Sequence, residues 1–389
     1  MNFDDFIFQD NNDNVVLYDE TIELPNGITF ENLIDNGYIR ISREVWDKLK
    51  DLTDRKLEFL LSFLIDKYKL NFPHSDLTLK DVEDDFYNLL KYNTSRLLTK
   101  GKCVTKVNRV DLPDYYLFNE SIGRISSDYF QRDYRIKCSG VLSSSPHTKW
   151  YQSGKRTWLP NAISNLRNRG YLNESTIRIP LTKHFIASQF SPIIAKFIIN
   201  KFEANKILDF SSGWGDRLCG FYASNAKEYI GIDPNLDVHE GYLKQIDFYK
   251  NIIDDKTTTF ISKPSEDVDF DFGEYDMVFT SPPYFNIEKY NTDETQSYIR
   301  YKKYDDWLNN FLFKVVEKSL VGLKKDGYII LNLADSNTTN LSLCDPLFEF
   351  MKNMSVKYFG CLPFRCPNRF HAGNYDGTVV EPIFIWKKI

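Results

Sequence analysis

The chain has 389 residues, long enough for two domains or more, and at 42 % hydrophobic and 15 % aromatic residues it can bury large cores. It contains no run of 18 apolar residues, and its acidic start, MNFDDFIFQDNND, lacks the order of a secretory leader, so a cytoplasmic protein without a membrane span is expected. A net charge of −5, taken as a mean, argues against a basic nucleic-acid binder, but the charge is uneven: residues 1–90 hold 9 basic and 20 acidic residues, 91–184 hold 17 and 6, and 185–389 hold 23 and 28.

The first 40 residues read as short strands and turns, with LPNG at 24–27 as a turn signal. Val45, Leu49, Leu52, Leu57, Leu60, Leu61 and Leu64 recur at helical spacing and predict a helix over 42–70. A second helix is expected over 78–99, with Val82, Phe86, Leu89 and Leu90 on its apolar face and Asp76 as N-cap. An acidic, mostly helical region is therefore expected over 1–90. Over 91–184 helical periodicity is weak and aromatics interleave with basic residues, as in RDYRIK (132–137) and TKWYQSGKRTW (148–158). This basic block predicts a mixed α+β region that recognises a target.

From 185 onward strands and helices alternate. Strands are expected at Lys206–Phe210, Tyr229–Asp233, Thr258–Ile261, Asp276–Thr280 and Tyr328–Leu333, with a terminal pair at 356–362 and 381–387. Helices are expected at 191–204, from Leu218 to Ser224, at 238–251 and at 304–324. The alternation indicates an α/β domain over 185–389, a doubly wound Rossmann-like sheet that places ligands at the carboxyl ends of its strands. The six cysteines, Cys103, Cys138, Cys219, Cys344, Cys361 and Cys366, form no CxxC pair. Buried thiols in a reducing compartment are expected, and no metal site.

Two segments carry chemistry. In DFSSGWGDR (209–217) an apolar strand runs into a turn with Gly213 and Gly215, which allow positive φ and close approach of a ligand. Asp233 closes the next strand, 24 residues after Asp209, where a carboxylate can accept from both hydroxyls of a ribose. The third glycine of a dinucleotide fingerprint is missing, and Asp216 at the helix start repels pyrophosphate while tolerating a cation. The layout favours S-adenosylmethionine over NAD. Glu266 or Asp267, after the third strand, can accept the exocyclic amine of the cofactor's adenine.

The second segment is Ser281-Pro282-Pro283-Tyr284, at the end of the fourth strand. Two prolines fix a rigid turn that holds the Ser281 side chain and the Pro282 carbonyl as hydrogen-bond acceptors. Acceptors that hold the protons of a planar exocyclic base amine let its lone pair turn toward a methyl donor, and the Tyr284 face can stack on the base.

With these residues the chain resembles the amino-methyltransferases of DNA, which act on N4 of cytosine or N6 of adenine. TSPPYF (280–285) looks most like their N4-cytosine group. The resemblance implies that Asp209, Phe210, Ser211, Gly213 and Gly215 line the cofactor, that Asp233 holds its ribose, and that Phe190 and Ser191 form an additional cofactor motif. Ser281, Pro282, Pro283 and Tyr284 would hold the target base, and VVEPIFIWKK (379–388) would be the last strand. It covers roughly 184–389 and departs at Trp214, at Asp216-Arg217 and in the long loop Asn286–Tyr304, with Glu288, Tyr290, Gln296, Ser297 and Tyr301 able to touch a base. An N6-adenine enzyme and an RNA amino-methyltransferase remain alternatives. A base in a duplex must be flipped out, which needs phosphate contacts. Arg132, Arg135, Lys137, Lys149, Lys155, Arg156, Arg167 and Arg169 are the candidates for holding DNA, or RNA.

Overall fold

A computed structural model describes residues 24–25, 27–105, 111–152, 156–335, 341–365 and 377–389, and the backbone of two short strands, Ile7–Gln9 and Val15–Leu17. The chain forms two compact units, each made of two separated stretches. One joins Met1–Leu77 to Ile136–Ala187, and the other joins Thr78–Arg135 to Ser188–Ile389. The charge segments break instead at 90 and 184, because charge composition does not record which stretches extend a common sheet or core.

The first unit is mostly helical. The stretch expected as one helix over 42–70 is two, Arg43–Leu49 and Asp54–Tyr68. The break falls where Thr53 adopts an extended conformation and its hydroxyl accepts from the Lys56 amide, capping the second helix. Helices also occur where periodicity read as weak: Pro146–Tyr151, Leu159–Arg169 and Glu174–Thr182. Leu57, Leu60, Leu61 and Leu64 share one core with Trp150, Trp158, Leu159, Ile163 and Leu166. The indoles of Trp150 and Trp158 stack at 5.4 Å, and their N–H groups donate to the carbonyls of Leu70 and Lys149. The two stretches of this unit hold 16 basic and 17 acidic residues, so the acidic N-terminal chain and the later basic chain neutralise one another within one body.

The second unit is built on a ten-stranded sheet. Its strands are β1 (Leu98–Lys100), β2 (Cys103–Val104), β3 (Tyr115–Leu117), β4 (Lys206–Asp209), β5 (Glu228–Ile232), β6 (Thr257–Ile261), β7 (Tyr275–Thr280), β8 (Leu323–Asn332), β9 (Val356–Arg365) and β10 (Thr378–Lys388). The order is β6-β5-β4-β7-β8-β10-β9-β3-β1, with β2 beside β10. Strands β4 to β8 are parallel, and β10 runs antiparallel between β8 and β9. The direction of winding reverses between β4 and β7, the switch point at which doubly wound sheets bind ligands. The Rossmann-like α/β fold of this unit matches the expectation, and β1 and β3 extend its sheet.

Helices Pro192–Lys201, Asp216–Tyr222 and Leu236–Lys250 connect the first strands. A helical run from Tyr304 to Val321, with a π-helical stretch at Leu308–Phe313, precedes β8. It ends three residues before the expected 324, at the start of β8. The helix expected over 78–99 spans Leu79–Lys91, and its N-cap is Thr78, in a capping box with Asp81, rather than Asp76. Its last carbonyls, with that of Tyr92, are taken by the Lys196 ammonium at 2.7–3.0 Å. Cys138, Cys219, Cys344 and Cys361 are buried free thiols, Cys103 is half-buried, and Cys366 lies outside the described residues. Among the described residues no helix is long and apolar enough to cross a membrane.

One glycine sets a helix contact. A Cβ on Gly220 would lie 2.5 Å from the Ala195 Cβ and 2.7 Å from the Pro192 carbonyl, so helix Asp216–Tyr222 touches helix Pro192–Lys201 backbone to backbone. Gly220→Ala is expected to destabilise the second unit by about 1–3 kcal/mol through overpacking, read from a lower denaturant midpoint at unchanged slope.

Candidate active site

The turn after β4 is built from beneath. Asp209 is fully buried, and its carboxylate accepts from Arg217 Nε at 2.7 Å and from Tyr229 Oη at 2.6 Å. Arg217 also donates to the Ser211 carbonyl, which ties strand, turn and helix together. Asp209 and Phe210, both expected at the cofactor, lie under the turn. The Phe210 ring is in the core, and its carbonyl accepts from Ser265 Oγ. Ser211 is nearly buried. Gly213 and Gly215 have φ of 59° and 81°, conformations that only glycine adopts freely. A Cβ on Gly213 would meet nothing nearer than the Ser211 carbonyl at 4.0 Å, so space in front of the turn is open, whereas on Gly215 it would strike the Gln245 side chain.

Asp233, after β5, faces this turn. Its Oδ2 accepts from the Gly213 amide at 2.9 Å and its Oδ1 from the Asn235 amide at 3.0 Å. Each oxygen keeps a lone pair. Burial pushes this carboxyl up to about 6 against the pull of those two amides. Asp216 is also pushed up to about 6 by burial, and its carboxylate accepts from Ser127 Oγ at 2.5 Å. Phe190 packs edge-on to Phe279, with the Arg217 guanidinium over its face, and Ser191 Oγ is buried with no partner among the described residues. Ser262 Oγ, Thr280 Oγ1 and Asn286 Oδ1, near the carboxyl ends of β6 and β7, are likewise buried and unpartnered.

The acids after β6 are occupied. Arg300 donates to Glu266 at 2.7 Å and bridges Asp267 at 2.8 Å. The loop carrying Arg300 also joins Asn291 to Asn235, and Thr295 to the Pro234 carbonyl, on the edge beside Asp233. Tyr290 packs against Trp214, whose N–H donates to the Ser188 carbonyl. Glu288 accepts from the Ser188 amide and hydroxyl. Sequence reasoning missed Arg300, although a lone arginine in a loop of polar residues was its signal.

The turn Ser281–Tyr284 leaves β7 between β4 and β8. The register pairs Val278 with Leu208 and Thr280 with Leu331, which carries Ser281 to the level of Ser211 on one side and Asn332 on the other. Tyr284 Oη donates to Glu381 Oε1 at 2.8 Å, as does Asn332 Nδ2. Phe285 follows at φ 54°, a strained position for a bulky residue, held by packing against Tyr304 and Trp307. Pro282 is buried and Pro283 half-buried. Asn332 and Glu381 also escaped the sequence reading, although an acid inside the apolar run VVEPIFIW was a signal.

The eight basic candidates do not form one kind of surface. Arg156 is buried and ion-paired to Asp66 at 2.6 Å. Arg135 is buried and paired with Asp128 at 2.7 Å. Arg167 binds Asp54 and the carbonyls of Lys50 and Leu52 over the Trp46 ring. Arg132 stacks on Tyr129, and Lys149 donates to Ser143 Oγ. Lys137 and Arg169 are exposed, and Lys155 lies outside the described residues. For Arg135, Arg156 and Arg167 the partners are this chain's own acids and carbonyls. Trp150 and Trp158 are core and offer no stacking face.

A family model described as DNA methylase, of the N6/N4 methyltransferase kind, matches residues 275–388, a range that includes Thr280–Phe285. No curated protein sequence matches the chain. Among solved structures, an rRNA methylase from Streptococcus thermophilus has 11 % identity over 52 % of this chain and 99 % of its own, with a TM-score of 0.33. A SAM-dependent O-methyltransferase from Thermotoga maritima has 11 % identity over 59 % and 72 %, at 0.33. A precorrin-6y C5,15-methyltransferase from Geobacter metallireducens has 14 % identity over 51 % and 88 %, at 0.31. The fold assignment rests on the strand order given above.

Two outcomes are expected. Folding favours the protonated form of Asp233, so this group adds stability that is complete below the ordinary aspartate range and is lost as pH rises through about 6. Ligand binding through a carboxylate has the opposite sign. Affinity for a ribose-bearing cofactor, measured by calorimetry, should rise between pH 5 and 7 in steps of about one unit, and Asp233→Asn should flatten the rise. Arg156→Leu removes the guanidinium from the buried ion pair with Asp66 and should cost about 3–5 kcal/mol of unfolding free energy, the outcome for a structural rather than a ligand-binding arginine.

Proposed function

We propose that this protein is an S-adenosylmethionine-dependent methyltransferase that modifies an exocyclic amine of a nucleic-acid base, most specifically N4 of cytosine in DNA. The observation that carries the reading is the Ser-Pro-Pro-Tyr turn at the switch point, one strand from the open glycine turn and inside the stretch matched by the DNA methylase family model. The serine at its first position favours the N4-cytosine group.

The residues present fit the cofactor. Gly213 leaves open space before the turn, Asp233 keeps lone pairs for ribose hydroxyls, and the unpartnered hydroxyls of Ser191 and Ser262 are available to polar groups of a ligand. Glu266 and Asp267 hold the adenine amine once Arg300 yields or shares them. When bound, S-adenosylmethionine supplies an electrophilic methyl group. The chain's own work is alignment: Ser281 Oγ and the Pro282 carbonyl accept hydrogen bonds from the two amine N–H groups, turn the nitrogen lone pair out of conjugation, and hold it on line. Tyr284 stacks on the base, its hydroxyl anchored by Glu381.

A second reading, methylation of an RNA base or of adenine N6, uses the same residues. Mass spectrometry of nucleosides from DNA and RNA pools treated with enzyme and cofactor separates them. N4-methylcytosine in DNA is the expected product, N6-methyladenine or a methylated RNA base transfers the reading to the alternatives, and no methylated nucleoside overturns it. Ser281→Ala should lower the single-turnover rate by roughly 10²-fold with unchanged melting temperature, as expected when one preorganised hydrogen bond is lost. Wild-type rates in that variant remove Ser281 from the chemistry.

A further inference from the structure

Resting on that reading, one question is open: what makes the Ser281 hydroxyl an acceptor. A serine hydroxyl both donates and accepts, and its rotor settles on the best local arrangement. To hold an amine proton it must send its own hydrogen elsewhere. The neighbours of Ser281 supply the answer. Ser281 Oγ lies 3.5 Å from Asn332 Oδ1, the longest contact of the group, and Asn332 Nδ2 donates to Glu381 Oε1 at 2.8 Å. The same oxygen receives the Tyr284 hydroxyl at 2.8 Å. Glu381 is 1 % exposed and Asn332 is 4 % exposed, so water has little access to either.

We infer that Glu381 and Asn332 form a polarity relay that sets Ser281 as acceptor and Tyr284 as anchored ring, and that both are positioning residues for methyl transfer. The directions follow from chemistry. Glu381 Oε1 accepts from Tyr284 Oη and from Asn332 Nδ2, so the amide nitrogen of Asn332 is turned toward Glu381. Its carbonyl oxygen is then turned toward Ser281, where it can only accept. The Ser281 hydrogen goes to Asn332, and both lone pairs of Ser281 Oγ are left for the target amine. Glu381 fixes the Tyr284 hydroxyl by the same restriction, so one buried carboxylate orders both ends of the catalytic turn. Neither residue touches the base; each acts through a residue of the turn. The 3.5 Å step is expected to tighten when a base occupies the turn, as catalytic hydrogen bonds do on substrate binding.

The test exchanges carboxylate and amide. Asn332→Asp removes the donor that faces Glu381 and sets two carboxyl groups against each other. Single-turnover methyl transfer at saturating cofactor should fall about 10–100-fold, the range for losing an outer partner, while calorimetric affinity for S-adenosylmethionine holds. In the double variant Asn332→Asp with Glu381→Gln, the introduced glutamine nitrogen takes the place of the Glu381 oxygen that meets both neighbours, donating one hydrogen to the introduced carboxylate and the other to the Tyr284 hydroxyl. A donor again faces the partner of Ser281 and no two carboxyl groups oppose each other, so most of the rate should return. In a Ser281→Ala background, Asn332→Asp should change the rate by no more than about twofold, because the relay has no hydroxyl to orient. Three results overturn the relay while leaving the proposed function standing: a wild-type rate for Asn332→Asp, a double variant no faster than the single with folding intact, or full additivity with Ser281→Ala. A wild-type enzyme that methylates neither DNA nor RNA overturns both.

Discussion

The buried pair of Asp209 and Arg217 is the contact on which the rest of the site is set. Both side chains are almost without solvent contact. Such a pair gains stability only if further hydrogen bonds satisfy its remaining atoms, because desolvating two charges costs about as much as their attraction returns. Here Tyr229 completes the carboxylate and the Ser211 carbonyl completes the guanidinium. Burial first, and then the Asp209 charge, hold the Tyr229 hydroxyl well above its ordinary range, so it stays a donor. The pair joins a strand end, a turn and a helix start, and leaves Gly213 projecting into open space with Asp233 on its amide. Loss of either charge would strand the other and loosen the glycine turn that Arg217 holds through the Ser211 carbonyl.

At the neighbouring strand the logic is strain held by packing. Phe285 sits in a backbone conformation that costs a bulky residue about 1–3 kcal/mol, directly after the Ser281–Tyr284 turn. Its ring is held by Trp307 and Tyr304, at the head of a helical run that shifts into π geometry at Leu308. π-helical stretches inside helices recur at functional sites because they re-aim side chains without breaking the run. The loop between the turn and this helix carries Arg300 onto Glu266 and Asp267. One segment thus braces the Ser281–Tyr284 turn at its start and covers the two acids at its end.

The fold of the second unit was legible because its pattern is local. Apolar strands such as KILD and YDMVFT alternate with helices, and the glycine turn and the Pro-Pro turn each advertise their own backbone geometry. What was not legible depends on distance in sequence. Asp209 looked like a ligand group because its position in the motif is visible, whereas its partners Arg217 and Tyr229 are known only from packing. Glu381 lies 97 residues beyond Tyr284 and makes sense only across two strands. The basic block misled for the same reason. Arg156 and Arg167 read as free charges because Asp66 and Asp54 are 90 and 113 residues upstream. Trp150 and Trp158, among the aromatics that interleave with that block, are core because their partners lie in another stretch.

The two-stretch make-up of the first unit bears on how the chain comes to fold. A chain made from its N-terminus presents Met1–Leu77 first, with Leu57, Leu60, Leu64 and Asp66 still short of their contacts in the second stretch. Their counterparts arrive only after Thr78–Arg135, which belongs to the other body, has emerged. Bringing together residues so far apart carries a loop-closure cost before any contact rewards it. The core that these helices begin is therefore complete only when Arg156 and the two tryptophans reach it. A nascent chain with that history is exposed to misassembly and to chaperone capture for longer than a contiguous domain of the same size.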